Sequence, residues 1–334
     1  MDKKFRILVA GCGAISNEWL SVMPGREDCD IVALVDMFPA LAEKQKEKYH
    51  IDAPVYADFD TALAETKPEI VVDLVNGPAH YEIDMKALKA GCHVFSEKPM
   101  CMSREEGEDL IKSFKEAGLT LSVMQNRRYL PGIRALQHAV QSGALGKIWM
   151  VCCEIYVNSD LSGRRNELEF PMLQDQAIHS FDSARFILGA DAKNVYCHSY
   201  NPEGSHYIGD GSGACIFEMT DDSVLVYNAV MDTNVMKTAW HSQWRVIGTK
   251  GTAIWNGFDE TAEAEFVGGE GRVRINPSPE WDGIRWFEGG INEMLTALKE
   301  GRPSELDCTG NYGSVAMTFA AIESAKCGQK VDVL

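Results

Sequence analysis

The sequence predicts an α/β protein of two domains, the first with a doubly wound parallel sheet and the second with a large open, mostly antiparallel sheet. Between residues 5 and 124, short apolar runs rich in β-branched residues alternate with helical segments, which is typical of a parallel sheet covered on both faces. After Pro131, strand patterns recur with few helices between them, which favours an antiparallel or mixed sheet. We therefore place the domains at residues 1–124 and 125–334.

Capping residues mark the helices of the first domain. Pro39 suits the first turn of a helix, and Ser103 with Glu106 has the spacing of an N-terminal capping box. Gly118 suits the end of that helix. The predicted helices are 39–49, 81–90 and 103–117, and the predicted strands are 6–10, 31–35, 70–75, 93–96 and 120–124.

The second domain begins with a helix from Pro131 to residue 142, followed by a turn at Gly143 and a long strand over 148–157. A helix over 176–188 is predicted to end at Gly189. Later strands are predicted at 195–200, 214–219, 224–231, 244–248, 252–255 and 272–275, and closing helices at 287–299 and 312–326.

Composition narrows the function classes. The 334 residues carry a formal net charge of −17, which repels phosphate backbones and anionic membranes, so we expect no nucleic-acid or membrane partner. No apolar stretch is long enough to cross a bilayer, and a glycine-rich turn interrupts the short apolar run that a targeting segment would need. The ten cysteines form no CxxC pair and show no zinc-ligand spacing, which predicts buried thiols of a cytoplasmic protein and no metal site.

The string GCGAIS, residues 11–16, follows the first predicted strand and precedes a helix. Gly11 permits a tight turn, and Gly13 lets the backbone approach a pyrophosphate at the helix N-terminus. We assign Ala14 and Ile15 to the same turn. Ser16 stands where the fingerprint usually has its third glycine, so a plain structural turn is the alternative.

Asp36 ends the second predicted strand. A carboxylate there accepts hydrogen bonds from the hydroxyls of an adenosine ribose and repels a 2′-phosphate. This position predicts NAD(H) rather than NADP(H); a solvated strand-end carboxylate is the alternative.

Two further strings carry reactive groups. SEKPM, residues 96–100, ends another apolar run, and ligands of open α/β sheets bind at the carboxyl ends of strands, so Lys98 should lie beside the ligand of the Gly11 turn. DQAIHSFD, residues 175–182, supplies Asp175 and His179 one helical turn apart. Together the strings predict a nicotinamide-dependent oxidoreductase acting on a hydroxylated substrate.

The chain resembles the Gfo/Idh/MocA oxidoreductases over essentially its whole length. The resemblance is carried, in order, by GCGAIS, Asp36, NGPAH (76–80), AGCHVFSEKP (90–99), QNRRYLP (125–131) and DQAIHSFD. It implies a Rossmann domain beside an α/β domain with an open sheet, and oxidation or reduction of secondary alcohols of sugars, cyclitols and related polyols. The chain departs from the family pattern at LEFPMLQ (168–174), at Ala177 and at Gly77, which weakens any transfer of substrate identity.

The resemblance also implies roles for individual residues. Lys98 should lie near the nicotinamide and the reacting oxygen, and Asp175 and His179 should face the substrate. Glu97 should fix its loop and contact the cofactor. The remaining implied cofactor residues are Asn76, Pro78, His80, Asn126 and Arg127.

Taking a hydride from a secondary alcohol also requires removal of the hydroxyl proton. Histidine accepts a proton near neutral pH because its pKa is about 6.5, so His179 is the expected base. Asp175 would orient the imidazole or bind a neighbouring hydroxyl, and Lys98 would stabilise the developing alkoxide. The reverse assignment, with Lys98 as base, stays open.

Position nominates two further substrate-binding residues, and the preference of sugar sites for aromatic faces nominates a third. Asn158 and Arg164 lie on the strand and loop before Asp175, and Trp240 lies in the later loop TAWHSQW. For Trp240, packing in a solvated loop is an equal alternative.

The leading hypothesis is therefore an NAD-dependent dehydrogenase of a sugar, glycoside or cyclitol. An NAD-dependent glycosidase working by transient oxidation and elimination is one alternative, and a non-catalytic NAD-binding regulator is another. An open sheet exposes apolar surface, which predicts a homo-dimer or homo-tetramer. The substrate, the direction of reaction and the exchangeability of NAD stay open.

Overall fold

The computed structural model describes residues 4–159 and 166–333. The chain divides into two compact units, one formed by Met1–Asn126 and Phe287–Tyr312, the other by Arg127–Trp286 and Gly313–Leu334. The first crossing lies close to the boundary that the sequence suggested at residue 124.

The sequence predicted one continuous second domain over residues 125–334. In the structure, residues 287–312 belong to the first unit instead. The helix α8 (Trp286–Glu300) explains the return. Phe287 lies edge-on to Trp19 with ring centroids 6.2 Å apart. Gly290 is so close to Met124 that a Cβ would come within 2.5 Å of the Met124 sulfur. These apolar contacts between distant parts of the chain leave no local sequence signal.

The first unit is a doubly wound parallel sheet, as predicted. Among the described residues, six strands pair in parallel in the order β3-β2-β1-β4-β5-β6. The strands are β1 (Phe5–Ala10), β2 (Cys29–Val35), β3 (Val55–Tyr56), β4 (Ile70–Asp73), β5 (His93–Ser96) and β6 (Leu121–Val123). The helices between them are α1 (Ser16–Leu20), α2 (Pro39–Tyr49), α3 (Phe59–Thr66), α4 (Gly77–Lys89) and α5 (Arg104–Ala117).

Local capping signals set most of these boundaries. The Ser103 hydroxyl accepts from the amide of Glu106 at 3.2 Å and begins α5, and Gly118 ends it with φ +65°. Glu106 completes the cap differently from a capping box, because its carboxylate accepts from the amide of Met102. α4 begins at Gly77, four residues before the predicted start, because Pro78 is compatible with a first helical turn.

The second unit is built on a mixed sheet of nine strands within the described residues, in the order β14-β13-β12-β11-β7-β10-β9-β8-β15. Neighbours are antiparallel except β10 and β7, which pair in parallel. The strands are β7 (Ile148–Tyr156), β8 (Ala192–Tyr200), β9 (Ser212–Met219), β10 (Val224–Val230), β11 (Gln243–Gly248), β12 (Gly251–Trp255), β13 (Ala262–Phe266), β14 (Arg272–Ile275) and β15 (Val331–Asp332).

Helices cover one face of this sheet. Phe181 lies at their interface, with its ring edge-on to Phe217 and to Tyr227 at 4.8 and 5.2 Å. The helices that the second unit contains are α6 (Pro131–Gln141), α7 (Ile178–Leu188) and the part of α9 (Cys308–Cys327) after Tyr312. Three strands were not predicted from the sequence. β3 and β15 have only two residues each, and β13, with the sequence AEAEF, has a weak strand pattern.

A π-helical turn, Met172–Ala177, precedes α7 and corrects the predicted start of that helix at residue 176. A π turn holds more residues than an α turn and recurs at functional sites. Asp175 therefore lies in the π turn and His179 in the α-helix, rather than both in one regular helix.

Every helix within residues 4–159 and 166–333 is too short or too polar to cross a membrane.

Candidate functional site

The GCGAIS turn joins β1 to α1 in a conformation that only glycine allows. Gly11 has φ +92°, and a Cβ there would lie 2.6 Å from the backbone carbon and oxygen of Leu74. The amide of Gly11 donates to the Val35 carbonyl at 2.8 Å. The turn is thereby pressed against the carboxyl ends of β2 and β4.

Residues 13–15 of the turn form an open cradle of backbone amides. A Cβ at Gly13 would have no atom within 4 Å. In the part of the chain that the structure describes, the amides of Gly13, Ala14 and Ile15 have no hydrogen-bond acceptor. Ser16 is buried and donates through its hydroxyl to the Gly13 carbonyl at 2.6 Å. Unpaired amides around open space suit an anion such as a pyrophosphate.

Asp36 is fixed at the end of β2 by two backbone donors. Its Oδ2 accepts from the amide of Cys12 at 2.8 Å, and its Oδ1 accepts from the amide of Phe38 at 2.8 Å. Each carboxylate oxygen keeps a further lone pair. The side chain is half-buried, so it can accept from hydroxyls of a ligand in the cradle.

Lys98 follows β5 and is held by a buried glutamate. Glu97 is 5% exposed, and its Oε1 accepts from the indole nitrogen of Trp19 at 2.7 Å, while its Oε2 accepts from the amide of Lys98 at 3.2 Å. Burial raises the pKa of Glu97, and these donors oppose the rise. The Lys98–Pro99 peptide bond is cis, and the Lys98 side chain is half-buried.

Asn76 and Pro78, at the start of α4, are exposed and available to a ligand. Asn76 has extended backbone angles and makes no capping bond from its side chain. A Cβ at Gly77 would lie 3.2 Å from the sulfur of Met102, so glycine leaves the start of the helix close to the loop after Lys98.

His80 is a correction to the predicted cofactor residues. It is 1% exposed, so its ring does not line a cofactor path. Its Nδ1 pairs with Asp73 Oδ2 at 2.8 Å and lies 3.4 Å from the Ser96 hydroxyl. Asp84, fully buried on α4, faces the same aspartate, and burial together with the negative Asp73 holds the pKa of Asp84 well above its usual range. The histidine thus belongs to a buried polar network.

QNRRYLP forms a 3₁₀ turn, Asn126–Tyr129. Asn126 is 7% exposed, and its Oδ1 has no hydrogen-bond donor among the described residues. Arg128 pairs with Asp182 through two hydrogen bonds of 2.7 and 2.6 Å, and Asp182 also accepts from Ser314 at 2.8 Å. Asp182 is therefore structural.

Arg127 is a buried cation. It is 3% exposed, and neither terminal nitrogen has a partner within the described ranges. Burial lowers the pKa of Arg127 to about 10, opposed in part by the nearby Asp175 carboxylate. The guanidinium is therefore a buried positive charge within electrostatic reach of Asp175.

Asp175 and His179 share one open side. Both are half-buried, whereas residues 176–178 and 180 between and beside them are buried. A π turn carries Asp175 and the α-helix carries His179. The His179 carbonyl accepts from the Ser183 hydroxyl at 2.7 Å, which fixes the backbone of α7 here.

The three further residues predicted to bind substrate lie in different environments. Asn158 is exposed and donates to Asn234 at 2.8 Å, and it forms a β-bridge with Asp232. Trp240 is 45% exposed. Arg164 lies outside the described residues.

His241 directly follows Trp240 in the loop that the sequence nominated for substrate binding, but the sequence gave it no specific role. Its ring lies edge-on to Trp286 with centroids 5.0 Å apart. Burial, and then the positive Arg127, lower the pKa of His241 to about 4. The only sequence signal was its place in TAWHSQW, because its partners come from remote segments.

Within residues 4–159 and 166–333, no group of three or more His, Cys, Asp or Glu side chains is arranged to hold a metal ion.

Comparison with known proteins identifies both units. Residues 5–125 match an oxidoreductase family model with an NAD-binding Rossmann fold, and residues 133–254 match the model of the GFO/IDH/MocA C-terminal domain.

Individual relatives and solved structures resemble the chain at 20–29% sequence identity. A D-glucoside 3-dehydrogenase of Escherichia coli (strain K12) is 29% identical over 60% of this chain and 59% of its own length. An inositol 2-dehydrogenase of Rhizobium meliloti (strain 1021) is 25% identical over 96% of this chain and 95% of its own. The crystal structure of an oxidoreductase from Agrobacterium radiobacter, in complex with NAD+, L-tartaric acid and magnesium, superposes with a TM-score of 0.89 at 20% identity, covering 99% of each chain.

Proposed function

This chain belongs to the Gfo/Idh/MocA oxidoreductase family, and from that premise we propose that it is a dehydrogenase of a secondary hydroxyl in a sugar, glycoside or cyclitol. The observation that carries the proposal is the half-buried pair of Asp175 and His179, which open to the same side of α7 and its π turn. Removal of a hydroxyl proton requires a base, and a neighbouring carboxylate stabilises the imidazolium that forms. The sugar and inositol dehydrogenases among the relatives support the substrate class.

NAD is the cofactor, and the first unit has features that fit it. The open amides of Gly13, Ala14 and Ile15 suit the pyrophosphate. Asp36 offers its remaining lone pairs to the ribose hydroxyls and its charge disfavours a 2′-phosphate. We propose a preference for NAD(H) over NADP(H) on this ground.

In the proposed reaction, the chain's own groups position the substrate and move its proton. His179 accepts the hydroxyl proton, and Asp175 stabilises the imidazolium that results. Lys98, held through its amide by Glu97, donates a hydrogen bond to the substrate oxygen and stabilises its developing charge. The nicotinamide, when bound, supplies the hydride acceptor.

A substrate screen tests the proposal. Purified protein with NAD would be presented with glucose, galactose, inositols and aryl glycosides, and both NADH absorbance and the mass of the sugar product would be followed. NADH together with a ketone two mass units lighter is the expected result. Release of the aglycone without NADH would replace the dehydrogenase by a redox-assisted glycosidase, and NAD binding without any hydride exchange would indicate a regulator.

We also propose that the protein is a homo-oligomer formed through the uncovered face of the nine-stranded sheet. Large apolar side chains stand on this sheet with high exposure: Trp149 at 58%, Ile216 at 48% and Tyr196 at 45%. Contiguous exposed apolar surface marks association sites. Light scattering of the wild type and of Ile216→Glu tests the assignment, because a charge at that site should shift the mass toward the monomer. An unchanged mass would place the interface elsewhere.

The state of the cysteines supports a cytoplasmic location. All ten thiols are free, and such usage is typical of a reducing compartment. Fractionation of cells expressing the protein would test this.

A further inference from the structure

The loop that carries His241 has a strained backbone beside α7. Ser242 is fully buried with φ +69°, a left-handed conformation that is uncommon for residues with a side chain. Its hydroxyl lies 3.3 Å from the hydroxyl of Ser180, which directly follows His179. Such conformations persist only where the surroundings enforce them, and they cluster at functional sites.

A second strained residue contacts His241 itself. Trp286 has φ +56°, and its ring packs edge-on against the imidazole at 5.0 Å and 64°. The backbone is also held, because the indole nitrogen of Trp244 donates to the His241 carbonyl at 3.0 Å. Trp286 therefore contacts the imidazole of His241, and Trp244 holds its backbone.

The ring has hydrogen-bonding capacity that the protein does not use. Nδ1 is buried and has no partner among the described residues, while the side chain as a whole is half-buried. Burial, and then the positive Arg127, hold the pKa of His241 near 4. At neutral pH the ring is uncharged, with one donor and one acceptor nitrogen.

Two independent observations connect the loop of His241 with the segment that carries the reactive pair. Ser242 and Ser180 join its loop to the residue after His179. The buried guanidinium of Arg127 interacts both with His241 and with Asp175. One strained residue thus follows His241 in the chain, and another packs against its ring.

We propose that His241 is a substrate-binding residue, whose neutral imidazole hydrogen-bonds to a hydroxyl of the substrate other than the one that is oxidised. The proposal rests on the proposed dehydrogenase function. A neutral imidazole donates and accepts at once, and so does a hydroxyl. His241 therefore selects for ligands with a second hydroxyl near the reacting carbon, which polyols and sugar rings possess.

His241→Phe tests the proposal, because phenylalanine keeps a ring against Trp286 and removes both nitrogens. Loss of one neutral hydrogen bond corresponds to a weakening of about tenfold. We expect KM for the substrate to rise by about that factor, with kcat within about threefold and an unchanged pH profile of kcat. His241→Asn, whose amide again donates and accepts, should recover part of the loss. His138→Phe, at a half-buried histidine of α6, is the matched control and should change nothing.

A binding measurement separates this inference from the proposed function. Calorimetric titration of the NAD-loaded protein with myo-inositol and methyl β-D-glucopyranoside gives Kd without requiring turnover. A weaker Kd in His241→Phe, restored by asparagine, supports the role of His241 even if no ketone forms, and absence of ketone then overturns only the dehydrogenase. Equal Kd and KM in wild type and His241→Phe overturn the role of His241 and leave the dehydrogenase intact. Failure of the wild type to bind either polyol overturns both.

Discussion

Replacing Asp84 by asparagine should make the protein progressively more stable than the wild type as the pH rises. Asp84 is fully buried on α4, and neither carboxyl oxygen has a hydrogen-bond donor among the described residues. The group it faces is Asp73, which already accepts from His80 and from the amide of Val75 at 2.8 and 3.0 Å. Burial, and then the negative Asp73, hold the pKa of Asp84 well above its usual range, so Asp84 keeps its proton in the folded protein.

The sign of the effect follows from proton binding. In the unfolded chain an aspartate has lost its proton above about pH 5, whereas folded Asp84 keeps its own. The folded state then binds one proton more than the unfolded state, so this site lowers the free energy of unfolding as pH rises from the unfolded pKa toward the folded one. One proton corresponds to about 1.4 kcal/mol per pH unit.

The asparagine side chain introduced by Asp84→Asn does not titrate, yet its amide can donate to Asp73 as the protonated carboxyl does. The difference in unfolding free energy, variant minus wild type, should therefore grow by up to about 1.4 kcal/mol per pH unit above pH 5. Urea denaturation at several pH values between about 5.5 and 7.5, followed by far-ultraviolet circular dichroism, measures it. Asp52→Asn, at an exposed aspartate of the same unit, is the control and should give a flat difference. A flat difference for Asp84→Asn as well would mean that Asp84 is ionised in the folded protein.

Three further predictions concern the proposed site. Gly11→Ala should unfold the first unit or lower its free energy of unfolding by several kcal/mol, because the new Cβ would lie 2.6 Å from backbone atoms. Gly13→Ala should keep the wild-type Tm and bind NAD at least about tenfold more weakly. Equal Tm values for the two variants would contradict the clash at Gly11. Asp36→Asn keeps a hydrogen-bond acceptor for the turn and loses the negative charge. The ratio of kcat/KM with NAD to kcat/KM with NADP should therefore fall by at least about tenfold. An unchanged ratio would mean that Asp36 does not determine cofactor preference. His179→Ala should lower kcat by a factor of about 10² to 10⁴, and a variant that retains a tenth of the activity would transfer the base role to Lys98.

The features that the sequence predicted well are those with a local physical cause. The left-handed turn at Gly11, the cap at Ser103 and the helix ends at Gly118 and Gly189 each depend on a few adjacent residues. The doubly wound sheet followed from the regular alternation of apolar runs.

The features that it missed depend on contacts between distant segments. Nothing near residue 290 shows that Gly290 packs against Met124 and returns α8 to the first unit. The π turn that holds Asp175 adds a residue to a helical turn, and Pro171 before it is equally compatible with the start of an ordinary α-helix. His241 gains its environment from Arg127 and Trp286, which lie far away in the sequence.

Burial separates the polar residues that a sequence motif presents together. NGPAH and DQAIHSFD each offer a histidine, and by composition the two are equally suited to proton transfer. His80 is 1% exposed and paired with Asp73, so it cannot reach a substrate, but it does contact Ser96, two residues before Lys98. His179 is half-buried beside Asp175. A motif histidine can therefore act on the substrate only where the fold leaves its ring accessible, and elsewhere it contributes by holding the strand ends that carry the accessible groups.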